Sequence, residues 1–171
     1  MKKSWYLIFL ALPIIALSIF LLNPKSSSNG EGKKAMDFTL SDVEGNKFTL
    51  SQFNGNVVIL NFFATWCKFC RMEIPHLVEL YNQYKDKGLT VISISVDRNP
   101  HEVLKPFIQS YSINFPVLIG EENVVNEYFG GNQGIPFNVV IDKNGYIRKT
   151  YVGVREKSVF ENDLKELSEE K

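Results

Sequence analysis

The chain has 171 residues, 44% of them hydrophobic and 22% charged, which excludes global disorder. Nineteen basic side chains balance nineteen acidic ones, so the basic excess of a protein that grips nucleic-acid phosphates is missing. Two cysteines are too few for a multi-bridge disulfide scaffold or a four-cysteine zinc site.

The N-terminus reads as a membrane segment. Residues Trp5 to Leu22 are apolar except for Pro13 and Ser18, and Lys2 and Lys3 precede them. As a helix rising about 1.5 Å per residue, this run reaches nearly across a bilayer core. A signal sequence and a signal anchor both fit that pattern. Cleavage after Ala16-Leu17-Ser18 would leave Ile19-Phe20-Leu21-Leu22 on the mature end, so residues 1–22 are expected to remain as an uncleaved transmembrane anchor. Lys25, Lys33 and Lys34 blunt the charge bias. The very short N-terminal tail still favours a single pass in the cytoplasmic membrane, with the rest of the chain on the extracytoplasmic side. Residues 23–35 read as a flexible polar tether and residues 36–171 as one folded domain.

Within that domain, Phe38 to Leu40 and Lys47 to Leu50 flank Asp42-Val43-Glu44-Gly45-Asn46 and read as a β-hairpin. Asn56 to Phe63 is a nearly continuous apolar run, as in a strand buried on both faces. From Cys67 to Lys85 the spacing is helical, with Ile74, Leu77, Val78, Tyr81 and Tyr84 on one face and Lys87-Gly88 as the stop. Leu89 to Val96 is a second strand. Asn99-Pro100 opens a helix to about Tyr111, with Asn99 as N-cap. A short strand at Pro116 to Ile119 and a helix from Glu121 to Phe129 follow. Phe137 to Asp142 and Tyr146 to Val152 are strands joined by Lys143-Asn144-Gly145, and Glu156 to Ser168 is a closing helix. The order is a hairpin followed by β-α-β-α-β-α-β-β-α. This predicts an α/β fold with a largely parallel sheet covered on both faces and an antiparallel edge.

Chemistry concentrates at Cys67-Lys68-Phe69-Cys70, where a buried strand gives way to a helix. A helix N-terminus carries free N–H groups and partial positive charge, which favour a thiolate. Cys70, one turn on, is within reach to form or resolve a disulfide with Cys67, and this pair is all that thiol–disulfide exchange requires. Two alternatives stand beside it. A zinc site would need Cys67, Cys70, His76 and His101, yet His76 lies nearly two turns beyond Cys70 on the same helix. The cysteines could also be packed and chemically idle. No cofactor is called for.

The sequence resembles the thioredoxin superfamily, and within it the membrane-anchored thiol–disulfide oxidoreductases of the ResA/TlpA type, which carry an AhpC/TSA-like thioredoxin-fold domain. The resemblance covers nearly all of residues 36–168. It rests on Asp37-Phe38-Thr39-Leu40, on the run from Val57 through Trp66-Cys67-x-x-Cys70, and on Glu73-x-Pro75. Further matches are Asn114-Phe115-Pro116-Val117, Gly134-Ile135-Pro136 and Ile141-Asp142-x-x-Gly145. It implies a thioredoxin-like fold with an N-terminal hairpin and a central helix–strand insert near residues 100–119. It also implies that Cys67 attacks, that Cys70 resolves, and that the two cycle through a Cys67–Cys70 disulfide. Pro136 would be the cis-proline facing them, with Trp66, Ile135 and Pro136 against the substrate.

Glu73 matches an acidic residue of this subgroup and would accept a proton from Cys70; the alternative is an ordinary surface glutamate. Asn61 stands where thioredoxin has a buried aspartate. Two departures are plain. Lys68-Phe69 is not the usual pair between the cysteines, and Phe137-Asn138 replaces the usual threonines in positions expected to line the substrate groove.

The function implied is reduction of disulfides in exported proteins, apocytochrome c with its Cys-x-x-Cys-His among them. A membrane electron donor would re-reduce the pair. The same site could run as an oxidase, since direction follows reduction potential. A tethered copper-delivery module is a third reading, disfavoured by the Cys-x-x-Cys spacing and by the positions of the two histidines.

Overall fold

The computed structural model describes residues 32–129 and 134–169. The apolar run at 5–22 and residues 23–31 of the expected tether lie outside the described residues. Among those described, no helix is long and apolar enough to cross a membrane.

Among the described residues the first elements are a hairpin of β1 (Thr39–Ser41) and β2 (Lys47–Thr49). The Asp42 carboxylate closes its turn by accepting the N–H groups of Glu44 and Asn46 at 2.8 and 2.9 Å. Then follow β3 (Val57–Phe63), α1 (Lys68–Tyr84), β4 (Leu89–Ser95), α2 (Pro100–Ser110), β5 (Val117–Ile119) and α3 (Glu122–Phe129). The chain ends with β6 (Phe137–Ile141), β7 (Ile147–Val152) and α4 (Lys157–Glu169). The α2–β5 insert falls where the sequence placed it. Asn99 precedes α2 as expected but makes no side-chain capping bond.

The main sheet has the order β5-β4-β3-β6-β7. Strands β3, β4 and β5 are parallel. β6 runs antiparallel to β3, and β7 antiparallel to β6. The expectation of a largely parallel sheet with an antiparallel edge therefore needs correction. Two of the four strand pairings are antiparallel, so the sheet is mixed; the last hairpin does form its antiparallel side, with β7 at the edge and β6 against the central β3.

Every residue of β3 is buried, so alternate side chains feed two cores. Val57, Ile59 and Phe63 pack with Ile74, Leu77 and Leu80 of α1, Leu104 and Phe107 of α2, and Phe160 and Leu164 of α4. Val58, Leu60 and Phe62 pack with Phe38 and Leu40 of the hairpin and Val124 and Tyr128 of α3. Each such side chain contributes about 1.5–3 kcal/mol of burial. Many of them together hold the fold without a covalent crosslink. Changing the redox state of Cys67 and Cys70 therefore need not unfold it.

The N-terminal boundary also moves. Gly32 N–H donates to Ile147 C=O at 2.7 Å, Ile147 N–H to Lys33 C=O at 2.8 Å and Ala35 N–H to Gly145 C=O at 2.9 Å. Residues 32–35, assigned by composition to the tether, thus pair with the start of β7. Their main-chain bonds belong to the folded domain.

Candidate active site

β3 ends at Phe63 and the chain turns into α1 through Ala64-Thr65-Trp66. Asp97, just after β4, fixes that turn. Its carboxylate accepts the Thr65 N–H at 3.0 Å, the Thr65 hydroxyl at 2.8 Å and the Ser95 hydroxyl at 2.9 Å. Cys67 then occupies the N-cap of α1, and its Sγ accepts the Cys70 N–H at 3.2 Å. A serine or aspartate oxygen usually fills that position. Here the helix's free N–H is aimed at sulfur.

Both thiols are free and buried. Cys67 Sγ lies 3.7 Å from the Ile135 carbonyl oxygen. The Ile135–Pro136 peptide is cis, and Pro136 C=O accepts the Gly153 N–H at 2.8 Å. Trp66, beside the nucleophile, is 71% exposed. Trp66, Cys67, Ile135 and Pro136 therefore meet at one end of the sheet, with Cys70 one turn deeper. The two sulfurs are unlike. Burial pushes the Cys70 thiol well up, helped by its contact with Cys67 and by the charge of Glu73. Cys70 is held as a thiol until something takes its proton.

Glu73 is completely buried on the sheet side of α1. It meets a row of polar side chains that crosses three adjacent strands. Asn61 of β3 is in register with Ser93 of β4 on one side and Asn138 of β6 on the other. Residues in register share one face, so the three side chains sit together. Asn61 Nδ2 donates to Glu73 Oε2 at 2.9 Å and to Asn138 Oδ1 at 2.9 Å. Asn138 Nδ2 donates to both Glu73 oxygens at 3.1 Å, and the Ser93 hydroxyl donates to Asn61 Oδ1 at 3.1 Å. The Arg155 N–H, from the loop before α4, donates to Glu73 Oε1 at 2.8 Å. Burial raises Glu73 above the ordinary carboxylate range. The Asn138 amide and the Arg155 N–H oppose that rise without cancelling it.

The surface-glutamate alternative for Glu73 is therefore excluded by its burial. The groove expectation for Phe137 and Asn138 is corrected too: both are buried, at 2% and 0% exposure. Phe137 packs on Phe62 and Phe129, and Asn138 serves the carboxylate. Local sequence hid this, because the register of β6 on β3 joins residues 77 apart. The available signal was one polar residue inside each of three apolar strands. An Asn138→Leu variant strips the carboxylate of two bonds. It is expected to lose about 1–3 kcal/mol, the scale for an unsatisfied buried polar group, read as a lower urea midpoint.

Of the residues weighed for zinc, His76 turns away from the cysteines. Its Nδ1 lies 3.2 Å from the Arg155 carbonyl and its Nε2 3.6 Å from Glu156. Among the described residues, no three His, Cys, Asp or Glu side chains converge as a metal site.

A Cys-x-x-Cys opening a helix beside a cis-proline, on a sheet of this order, defines a thioredoxin-fold dithiol protein. Solved structures agree. The fold matches a thiol:disulfide interchange protein of the thioredoxin family from Chlorobium tepidum with TM-score 0.72 and 29% identity, over 83% of this chain and 99% of that one. It matches a putative protein disulfide isomerase from Bacteroides thetaiotaomicron with TM-score 0.74 and 30% identity, over 82% and 91%. In sequence, the chain is 36% identical over 138 residues to the thiol-disulfide oxidoreductase ResA of Bacillus thuringiensis, covering 80% of this chain and 78% of the relative. Residues 32–150 match the AhpC/TSA family, and the chain belongs to that family. It is a thiol–disulfide oxidoreductase.

Proposed function

We propose that the protein is a reductase of protein disulfides, held by residues 1–22 in the cytoplasmic membrane with its folded domain on the extracytoplasmic side. The observation that carries the direction is the lack of a cationic partner on the Cys67 sulfur among the described residues. A strongly oxidising pair needs its reduced, thiolate form stabilised. Among the described residues no arginine, lysine or histidine bonds to Cys67 Sγ, and Cys70 is pushed toward the thiol.

The exchange runs in two steps. Cys67 sulfur attacks one sulfur of a client disulfide; the client S–S bond breaks and one client thiolate leaves. Cys70 then gives its proton to Glu73 and attacks Cys67 sulfur in the mixed disulfide. That bond breaks and the second client thiolate leaves. Glu73 then releases the Cys70 proton and solvent carries it and the Cys67 proton to the two client thiolates, so the client gains two electrons and two protons overall and the protein is left with a Cys67–Cys70 disulfide. A membrane electron donor must reduce it again. Trp66, Ile135 and Pro136 line the approach to Cys67, and apocytochrome c is one client that the family resemblance supports.

Equilibration of the full chain in neutral detergent with a dithiol buffer tests the direction. The reductase reading expects a potential near about −270 mV, and a value near about −120 mV would replace it with the oxidase reading.

A further inference from the structure

Among the described residues, five large hydrophobic side chains are exposed: Trp66, Phe69, Met72, Tyr146 and Val152. Four of them belong to the segments that carry Cys67 and hold Pro136. Trp66, Phe69 and Met72 lie on the active-site turn and the first turns of α1. Val152 precedes Gly153, whose N–H holds the Pro136 carbonyl. Exposed apolar side chains gathered in this way mark a binding surface rather than chance.

Cations are interleaved with them. Lys68 and Arg71 are exposed on the same turns, and Arg98 is exposed next to Asp97, which clasps Thr65. Lys68 and Arg98 pair with no carboxylate among the described residues. Arg71 donates through Nε to the neutral hydroxyl of Tyr111 at 3.0 Å. The carboxylates of these segments face inward, Glu73 to the polar row and Asp97 to Thr65 and Ser95. The first turn of α1 has no acidic residue, although the positive end of a helix favours one. A helix start that carries cations against its own dipole is unfavourable for folding, and such local conflicts concentrate at functional sites. The chain as a whole has no basic excess. Two of its 19 basic residues, Lys2 and Lys3, precede the apolar run, leaving 17 against 19 acidic ones.

We propose that the face around Cys67 selects polypeptide disulfides whose cysteines are flanked by acidic and apolar residues. This rests on the reductase reading and narrows its client class. The apolar side chains take the client's apolar residues, and Lys68, Arg71 and Arg98 take its carboxylates.

The test uses the pre-reduced full chain in neutral detergent and three probes. Two are disulfide-bridged synthetic peptides identical except for Asp or Lys at the flanking positions. The third is hydroxyethyl disulfide, which is uncharged. The Asp peptide is expected to be reduced about tenfold faster than the Lys peptide at low salt, as for steered encounters. The preference should collapse between about 0.01 M and about 1 M salt, as the Debye length shrinks from about 30 Å to about 3 Å. The Lys68→Glu/Arg71→Glu double variant should invert the ratio of the two peptide rates. Lys87→Glu, three residues past the C-terminal end of α1, should leave the ratio unchanged. Because the full chain carries no formal net charge, its long-range field alone favours neither peptide. Equal rates, or a preference for the Lys peptide, would overturn the proposal while leaving the reductase reading intact. Failure to reduce even hydroxyethyl disulfide would overturn both. Salt-sensitive binding to anionic lipid vesicles with no peptide preference would reassign the face to the membrane surface.

Discussion

A Cys70→Ser variant should accumulate client proteins joined to Cys67 as stable mixed disulfides, and a Cys67→Ser variant should capture none. Cys67 sits at the N-cap with the Cys70 N–H aimed at its sulfur, next to the Ile135 carbonyl and the exposed Trp66. It is the sulfur a client meets. Cys70 is deeper, almost without exposure, and kept as a thiol by burial. Removing Cys70 leaves attack intact and blocks release. Removing Cys67 removes the covalent step, so turnover should fall on the order of 10³-fold or more, the scale set by loss of a nucleophile. Non-reducing gels of both variants, incubated with a disulfide-containing client, separate the two roles. Equal trapping by both variants would reverse or abolish the assignment.

The second large effect is expected at Glu73. A Glu73→Gln variant keeps the shape of the side chain and one accepting oxygen but cannot take the proton of Cys70. Positioned proton transfer of this kind contributes about 10²–10⁴-fold, so resolution of the mixed disulfide should slow by at least about 10²-fold while the initial attack changes little. Quenched-flow measurement of the two phases separates them. The same residue carries a pH signature in stability. Its acidity is lowered in the folded state, so the folded chain holds that proton to higher pH than the unfolded chain. The stabilisation is complete below the ordinary glutamate range and is lost as pH rises toward the folded-state value. Glu73→Gln should remove that decline, seen as a flatter dependence of the urea midpoint on pH between mildly acidic and neutral conditions.

Much of this site was legible in the sequence because its signals are local. Cys67 and Cys70 stand three residues apart where an apolar run meets a helical period. Glu73 stands three residues further, on the face that also carries Ile74 and Leu77. The rest depends on contacts between distant parts of the chain. Asn138 reads locally as a polar residue near a proline, and only the pairing of β6 with β3 turns it onto Glu73. The Arg155 N–H arrives from 82 residues away, and no side-chain pattern announces a main-chain donor. Residues 32–35 look like linker by composition, yet they bond across to residues more than a hundred positions later. The strand order was not legible for the same reason: alternation of strands and helices specifies crossovers but not which strand a final hairpin pairs with.

The central claim is that Cys67 and Cys70 form one exchangeable disulfide at the expense of a client's. It is tested most directly by mixing the fully reduced chain with one equivalent of a disulfide peptide, quenching with an alkylating agent and mapping both products by mass spectrometry. The account predicts that the peptide is alkylated at both cysteines while Cys67 and Cys70 resist alkylation and are recovered as a single linked fragment. Recovery of Cys67 and Cys70 as alkylated thiols, with the peptide still bridged, would contradict it.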